Sequence, residues 1–233
     1  MSVYRLADVN IAYCPQSATV AALLKPHETD GAVDLTLSIT PSMIEAEAVL
    51  LPDASNVVWE LASLLRSLQT QLLPRDRLVL HASCIVLGGK AYAFLAPSGV
   101  GKTTHARLWE QRLPDTARIL NGDRLLVHVT ADGARAYGNP WRGKEGFGYV
   151  GDAPLGGLFF LTRANRSSCE PLSAIEALPY LLRATSFPPD AASRLCVLSL
   201  LERLTAATPL FRLYATPSVD AVDAVLNAIG GTL

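Results

Sequence analysis

The chain has 233 residues, half of them hydrophobic and 18% charged, with 20 Lys and Arg against 21 Asp and Glu. It is long enough for one large domain or a domain with a sizeable appendage, and apolar enough to bury a full core. Its even charge argues against nucleic acid or an anionic membrane as a partner.

The four cysteines, Cys14, Cys84, Cys169 and Cys196, form no Cys-x-x-Cys pair and have no histidine at ligand spacing. They read as free thiols in a reducing compartment. The N-terminus lacks an apolar run of signal-peptide type, and no run is long enough to span a bilayer. A cytoplasmic location is expected.

In chain order, residues 4–13 read as one strand, and Asp34 to Ile39, alternating polar and apolar, as another. Pro26, Asp30 and Gly31 punctuate turns between them. Asn56 is placed to cap a helix through VVWELASLLRSLQTQLL that Pro74 stops, with Val57, Leu61, Leu64, Leu65, Leu68 and Leu72 on one packing face. The one boundary signal falls there. It divides residues 1–74, strands and a helix packed on the core, from a domain at 75–233.

Two β-rich runs then flank Gly88-Gly89, a hairpin signal. The second run ends in a glycine-rich loop, and THARLWEQRL after it reads as a helix. RIL, the tetrad Asn121-Gly122-Asp123-Arg124 and LLVHVT follow, and Asp132-Gly133 turns the chain back into ARAYG. The C-terminal third predicts a strand at Gly157 to Thr162 and a helix at Ser173 to Ala184, bent or interrupted at Pro179. A helix at Asp190 to Ala207, a strand at Leu210 to Ala215 and a helix at Val219 to Ile229 complete it. The two hairpins predict an α/β fold with a mixed central β-sheet, unlike the mostly parallel sheet of ordinary doubly wound nucleotide binders.

The stretch APSGVGKTT, residues 96–104, has the strand-before and helix-after context of a phosphate-binding loop. Ala96 stands where the strict pattern has glycine. That position closes the strand, and alanine serves there unless φ must be positive. Pro97 has no amide hydrogen to offer. The amides of Ser98, Gly99, Val100, Gly101, Lys102, Thr103 and Thr104 are placed to converge on an anion at a helix N-terminus. Lys102 supplies a charge for the β/γ-phosphates and Thr103 a hydroxyl for magnesium. Asp123, one helix and one strand later, suits either magnesium or the proton of an attacking hydroxyl.

LHAS at 80–83, APSGVGKTT at 96–104, NGDR at 121–124 and GNPW at 138–141 together resemble the HPr kinase/phosphorylase superfamily. Within it they look most like the small HPr-kinase-like serine kinases of lasso-peptide biosynthesis, which phosphorylate a precursor peptide. The resemblance spans roughly residues 80–215. It implies a fold related to the ATP-dependent phosphoenolpyruvate carboxykinases. It also implies transfer of the γ-phosphoryl group of ATP, with Mg2+, to a serine hydroxyl of a peptide or small protein. A small-molecule kinase acting on free serine and a non-catalytic nucleotide-binding regulator are the alternatives.

By the same resemblance His81, Lys102 and Thr103 match the family's histidine, loop lysine and following hydroxyl. The kinases that act on HPr carry two consecutive aspartates at the acidic motif, the first serving as base. Here Gly122 stands in the first place and Asp123 alone remains. The glycine- and arginine-containing C-terminal segment of the bifunctional enzymes is not found, so neither the reverse phosphorylase reaction nor HPr as substrate is implied.

Magnesium is expected on Thr103 and Asp123. The serine proton is expected to go to Asp123 or to His81, since histidines titrate near neutrality. Arg142, with Arg124 and Lys144 nearby, is placed to meet charge on the γ-phosphate or on a peptide carboxylate. Trp141 reads as core and His105 as a neighbour of the loop. His27 and His128 carry no functional expectation. A homo-oligomer is left open.

Overall fold

The structure, a computed structural model, describes residues 1–230. The chain divides into two compact units, Met1–Arg75 and a second beginning at Asp76. Among the described residues no helix is long and apolar enough to cross a membrane.

In the first unit, β1 (Ser2–Leu6) and β2 (Val9–Tyr13) form an antiparallel hairpin. The single strand expected over residues 4–13 is thus two. Their turn, Ala7-Asp8, has φ of 49° and 61°. Positive φ at both central residues matches a tight hairpin turn, but the usual Asn-Gly signal is missing. β3 (Leu35–Thr36) pairs parallel with β2 and is only two residues long. The alternation of DLTLSI overstates it because Thr40 soon caps the next helix.

Two helices escape periodicity. The helix α1 (Ala18–Leu24), capped by Ser17, is short. The helix α2 (Pro41–Leu50) starts on Thr40-Pro41 and buries only Glu47, so it has no apolar stripe to read. The helix α3 (Asn56–Leu72) is the one expected, with Ser55 rather than Asn56 at its N-cap. Leu64, Leu68 and Leu72 are buried in it.

The second unit is an α/β fold with a mixed central sheet. Its strands are β4 (Arg77–Leu87), β5 (Lys90–Leu95), β6 (Arg118–Asn121), β7 (Arg124–Thr130), β8 (Gly133–Tyr137), β9 (Asp152–Arg163), β10 (Ser168–Pro171) and β11 (Leu210–Ala215). Its helices are α4 (Lys102–Arg112), α5 (Ala174–Ala184), α6 (Ala191–Ala207) and α7 (Asp220–Ala228). The sheet runs β10-β11-β9-β5-β4-β7-β8, and a β8–β9 pairing closes part of it into a ring. The strand β5 is antiparallel to β4 and parallel to β9.

Gly88 and Gly89 make the β4–β5 turn with φ of 55° and 75°, which glycine adopts without steric cost. The helix α5 runs unbroken through Pro179 from a Ser173–Glu176 capping box. The strand β10 carries no alternating pattern and was not expected.

One feature of the sheet positions the site. Along one side of β4, β6 pairs with residues Cys84 to Val86 and β7 with Arg77 to His81. Along the other side, β5 ends where Leu95 pairs with Ala82. Gly122 and Asp123, between β6 and β7, and the loop after β5 are therefore both delivered to the middle of β4. The core beneath α4 contains Ile85, Phe94, Trp109, Phe159 and Val222, all essentially inaccessible to solvent.

Candidate functional site

The loop from Ala96 to Gly101 joins the end of β5 to α4. Ala96 is buried and is not among the residues with positive φ, so nothing at this position calls for glycine. Its contribution is its carbonyl, which accepts a 2.7 Å hydrogen bond from Lys102 Nζ. Gly99 and Gly101 do need their freedom, with φ of 79° and 118°.

Among the described residues, the amides of Gly99, Gly101, Lys102, Thr103 and Thr104 donate to no protein acceptor; the Val100 amide makes one long contact of 3.4 Å to Pro97 O. Helix N-termini leave such donors unpaired, and their dipole attracts anions. The carbonyls point elsewhere: Arg163 Nη2 and Nε donate to Gly99 O at 2.6 Å and Val100 O at 2.9 Å.

Lys102 is buried, and this desolvation lowers its pKa, partly countered by Asp123. Asp123 lies on the connection between β6 and β7, with His81 Nε2 3.0 Å from its Oδ1. Burial pushes the Asp123 carboxyl up. The hydrogen bond and charge of His81, with Arg124 and Lys102, outweigh it and hold the group below the usual carboxylate range. Structure thus brings His81, Lys102, Asp123 and Arg124 into one electrostatic cluster at the mouth of the loop.

The Asp123 backbone is held on both sides. Its amide donates to Asn121 Oδ1 at 2.9 Å, and its carbonyl accepts from Ala82 N at 2.9 Å. Asn121 Nδ2 in turn donates to Asn139 Oδ1 at 3.1 Å. Asn139 Nδ2 donates to Arg124 O at 2.6 Å, and its Oδ1 accepts from Trp141 N at 2.9 Å. This buried asparagine pair ties NGDR to GNPW. Both motifs are conspicuous in the sequence, but their asparagines carry no charge and attract no catalytic reading.

Gly122 is locked by packing. A Cβ there would lie 2.6 Å from Arg142 O, a main-chain atom. Arg142 Nε donates to Asn139 O at 3.1 Å. Trp141 is buried and Lys144 exposed. Glu145, in the same turn as Lys144, pairs at 2.6 Å with Arg107 of α4. Ser98 is exposed, and among the described residues no hydrogen bond fixes its side chain.

His105 is a core residue. Its Nε2 accepts from Trp109 Nε1 at 3.0 Å, and burial brings its pKa down to about 3. Beside the loop lies an open cavity of about 440 Å³ whose walls include Val100, Leu108, Leu161, Ala215 and Pro217.

Among the described residues no group of three or more His, Cys, Asp or Glu is arranged to hold a metal ion. Thr103 lies in the first turn of α4 and Asp123 between β6 and β7; a hydroxyl and one carboxylate are hard oxygen donors, the chemistry that suits an ion arriving with substrate phosphates.

No family model and no curated protein matches the chain. Among solved structures it is similar to the Hpr(Ser) kinase/phosphatase from Coxiella burnetii, at 11% identity over 53% of this chain and 93% of that one, with a TM-score of 0.33.

Proposed function

We propose that the second unit is an ATP-dependent kinase that transfers the γ-phosphoryl group to a serine hydroxyl of a peptide or small protein. The observation that carries this is the set of amides, those of Gly99, Gly101, Lys102, Thr103 and Thr104, that find no acceptor among the described residues at the start of α4, beside a buried lysine and an ionised aspartate. Phosphoryl transfer needs positioning and charge neutralisation more than covalent chemistry, and this set supplies both.

The amides and Lys102 hold the β- and γ-phosphates. The cavity beside the loop, walled by apolar residues and by Thr104, Arg163, Asn165 and Thr216, takes the base. Thr103 and Asp123 would hold a magnesium ion, which when bound would supply positive charge to the phosphates. Asp123 accepts the proton of the attacking serine hydroxyl, while His81 fixes the carboxylate through Oδ1. Arg124 and Arg142 steady the charge spread over the transferring group.

The test is to incubate the protein with magnesium-ATP and a panel of serine-containing peptides, free serine included, and to weigh the products. One added phosphate on a peptide, lost in Lys102→Ala, supports the assignment. Phosphorylation of free serine alone would make it a small-molecule kinase. Nucleotide binding without turnover would make it a regulator.

A further inference from the structure

Arg163 ends β9, three residues past Phe160, which pairs with Leu95, the last residue of β5. That places it beside the loop rather than beside the strand. Its guanidinium donates to two successive loop carbonyls, Gly99 O at 2.6 Å and Val100 O at 2.9 Å. In a trans peptide the N–H points opposite the preceding carbonyl. Holding the Val100 carbonyl outward therefore turns the Gly101 amide inward, to the side where α4 presents its own free N–H groups, and holding the Gly99 carbonyl fixes the peptide whose Val100 amide makes the long 3.4 Å contact to Pro97 O. The two glycines that flank Val100 leave the backbone free to flip these peptides, and no other hydrogen bond to either carbonyl is made among the described residues.

We infer that Arg163 is a positioning residue for the anion site: a brace that sets the loop's peptide planes before any ligand arrives. It acts through the backbone, and its planar fork is what lets one side chain hold two acceptors. A lysine would keep the charge but could not span both carbonyls in fixed geometry. The inference rests on the kinase reading for the identity of the anion, but the brace itself is a property of the nucleotide-free chain.

The experiment compares wild type, Arg163→Lys and Arg163→Gln, each first shown by urea titration to remain folded. Amide 15N relaxation in the nucleotide-free protein reads the loop directly. Wild-type order parameters at Gly99, Val100 and Gly101 are expected to be near those of rigid backbone, about 0.85, and to fall below about 0.6 in both variants. Calorimetry with magnesium-ATP is expected to show affinity weakened by about tenfold in both.

A rigid loop in Arg163→Gln, or full recovery of rigidity and ATP affinity in Arg163→Lys, would overturn the brace. A wild-type loop that is rigid, loosens in both variants and yet binds no magnesium-ATP would sustain the brace and defeat the kinase reading instead.

Discussion

His81 Nε2 and Asp123 Oδ1 lie 3.0 Å apart, and this contact is the largest single influence that keeps the Asp123 carboxyl ionised against the cost of its burial. The two residues come from different places: His81 from the middle of β4, Asp123 from the joint between the two strands that share β4's far side.

Unequal roles follow for the pair. On the proposed reading Asp123→Asn removes the proton acceptor and is expected to lower kcat by about 10²–10⁴-fold. His81→Gln leaves the acceptor in place and is expected to cost about 10–100-fold, as removal of an orienting partner does elsewhere. It also removes the charge that helps to lower the Asp123 pKa, while leaving an amide donor for the carboxylate. The acid limb of kcat/KM should therefore move to higher pH in His81→Gln. Steady-state kinetics across pH measure both; an unmoved acid limb with a large loss in kcat would make His81 the base.

The burial of Lys102 is a stability cost that the proposed phosphate-binding role would account for. Its ammonium is desolvated and held by Ala96 O at 2.7 Å. Lys102→Met is expected to abolish measurable magnesium-ATP binding, while changing folding stability by no more than about 1 kcal/mol, since removal of a desolvated charge offsets the lost hydrogen bond. Calorimetry and urea unfolding on the same preparation separate the two effects.

Gly122 cannot simply be replaced by an acid. The Arg142 carbonyl lies 2.6 Å from where a Cβ would be. Gly122→Ala is expected to cost about 1–3 kcal/mol through main-chain displacement, and Gly122→Asp to lose activity rather than gain it. Urea midpoints and turnover of the two variants check this.

His105 sets part of the acid stability. Burial lowers its pKa to about 3, so the folded protein keeps it neutral where an unfolded chain protonates it. Its stabilising contribution is complete above the unfolded pKa and is lost as pH falls from there toward the folded value. Between pH 6.5 and 5 the loss is expected to be about 2 kcal/mol. His105→Gln, which retains an acceptor for Trp109 Nε1, should flatten that slope in urea unfolding.

The mixed sheet was legible because both hairpins carry glycine turns, Gly88-Gly89 and Asp132-Gly133, and because β11 is bounded cleanly at Leu210–Ala215. The β1–β2 hairpin was not, since Ala7-Asp8 adopts a glycine-type turn without glycine. Nor was α2, whose burial rests on one ion-paired glutamate, Glu47, bonded to Arg66 at 2.6 Å. At the site, charged and glycine residues announce themselves through chemistry. Asn121 and Asn139 act by closing a buried hydrogen-bond network, and Arg163 by reaching across 63 residues to a carbonyl. Such contacts exist only once the strands are in register.

The most direct test is a structure of the protein with magnesium and a non-hydrolysable ATP analogue. The account predicts β- and γ-phosphate oxygens within about 3 Å of the Gly99, Gly101 and Lys102 amides, with Lys102 Nζ turned from Ala96 O toward the phosphates. A triphosphate bound away from this loop, or amides that remain turned from it, would contradict the account.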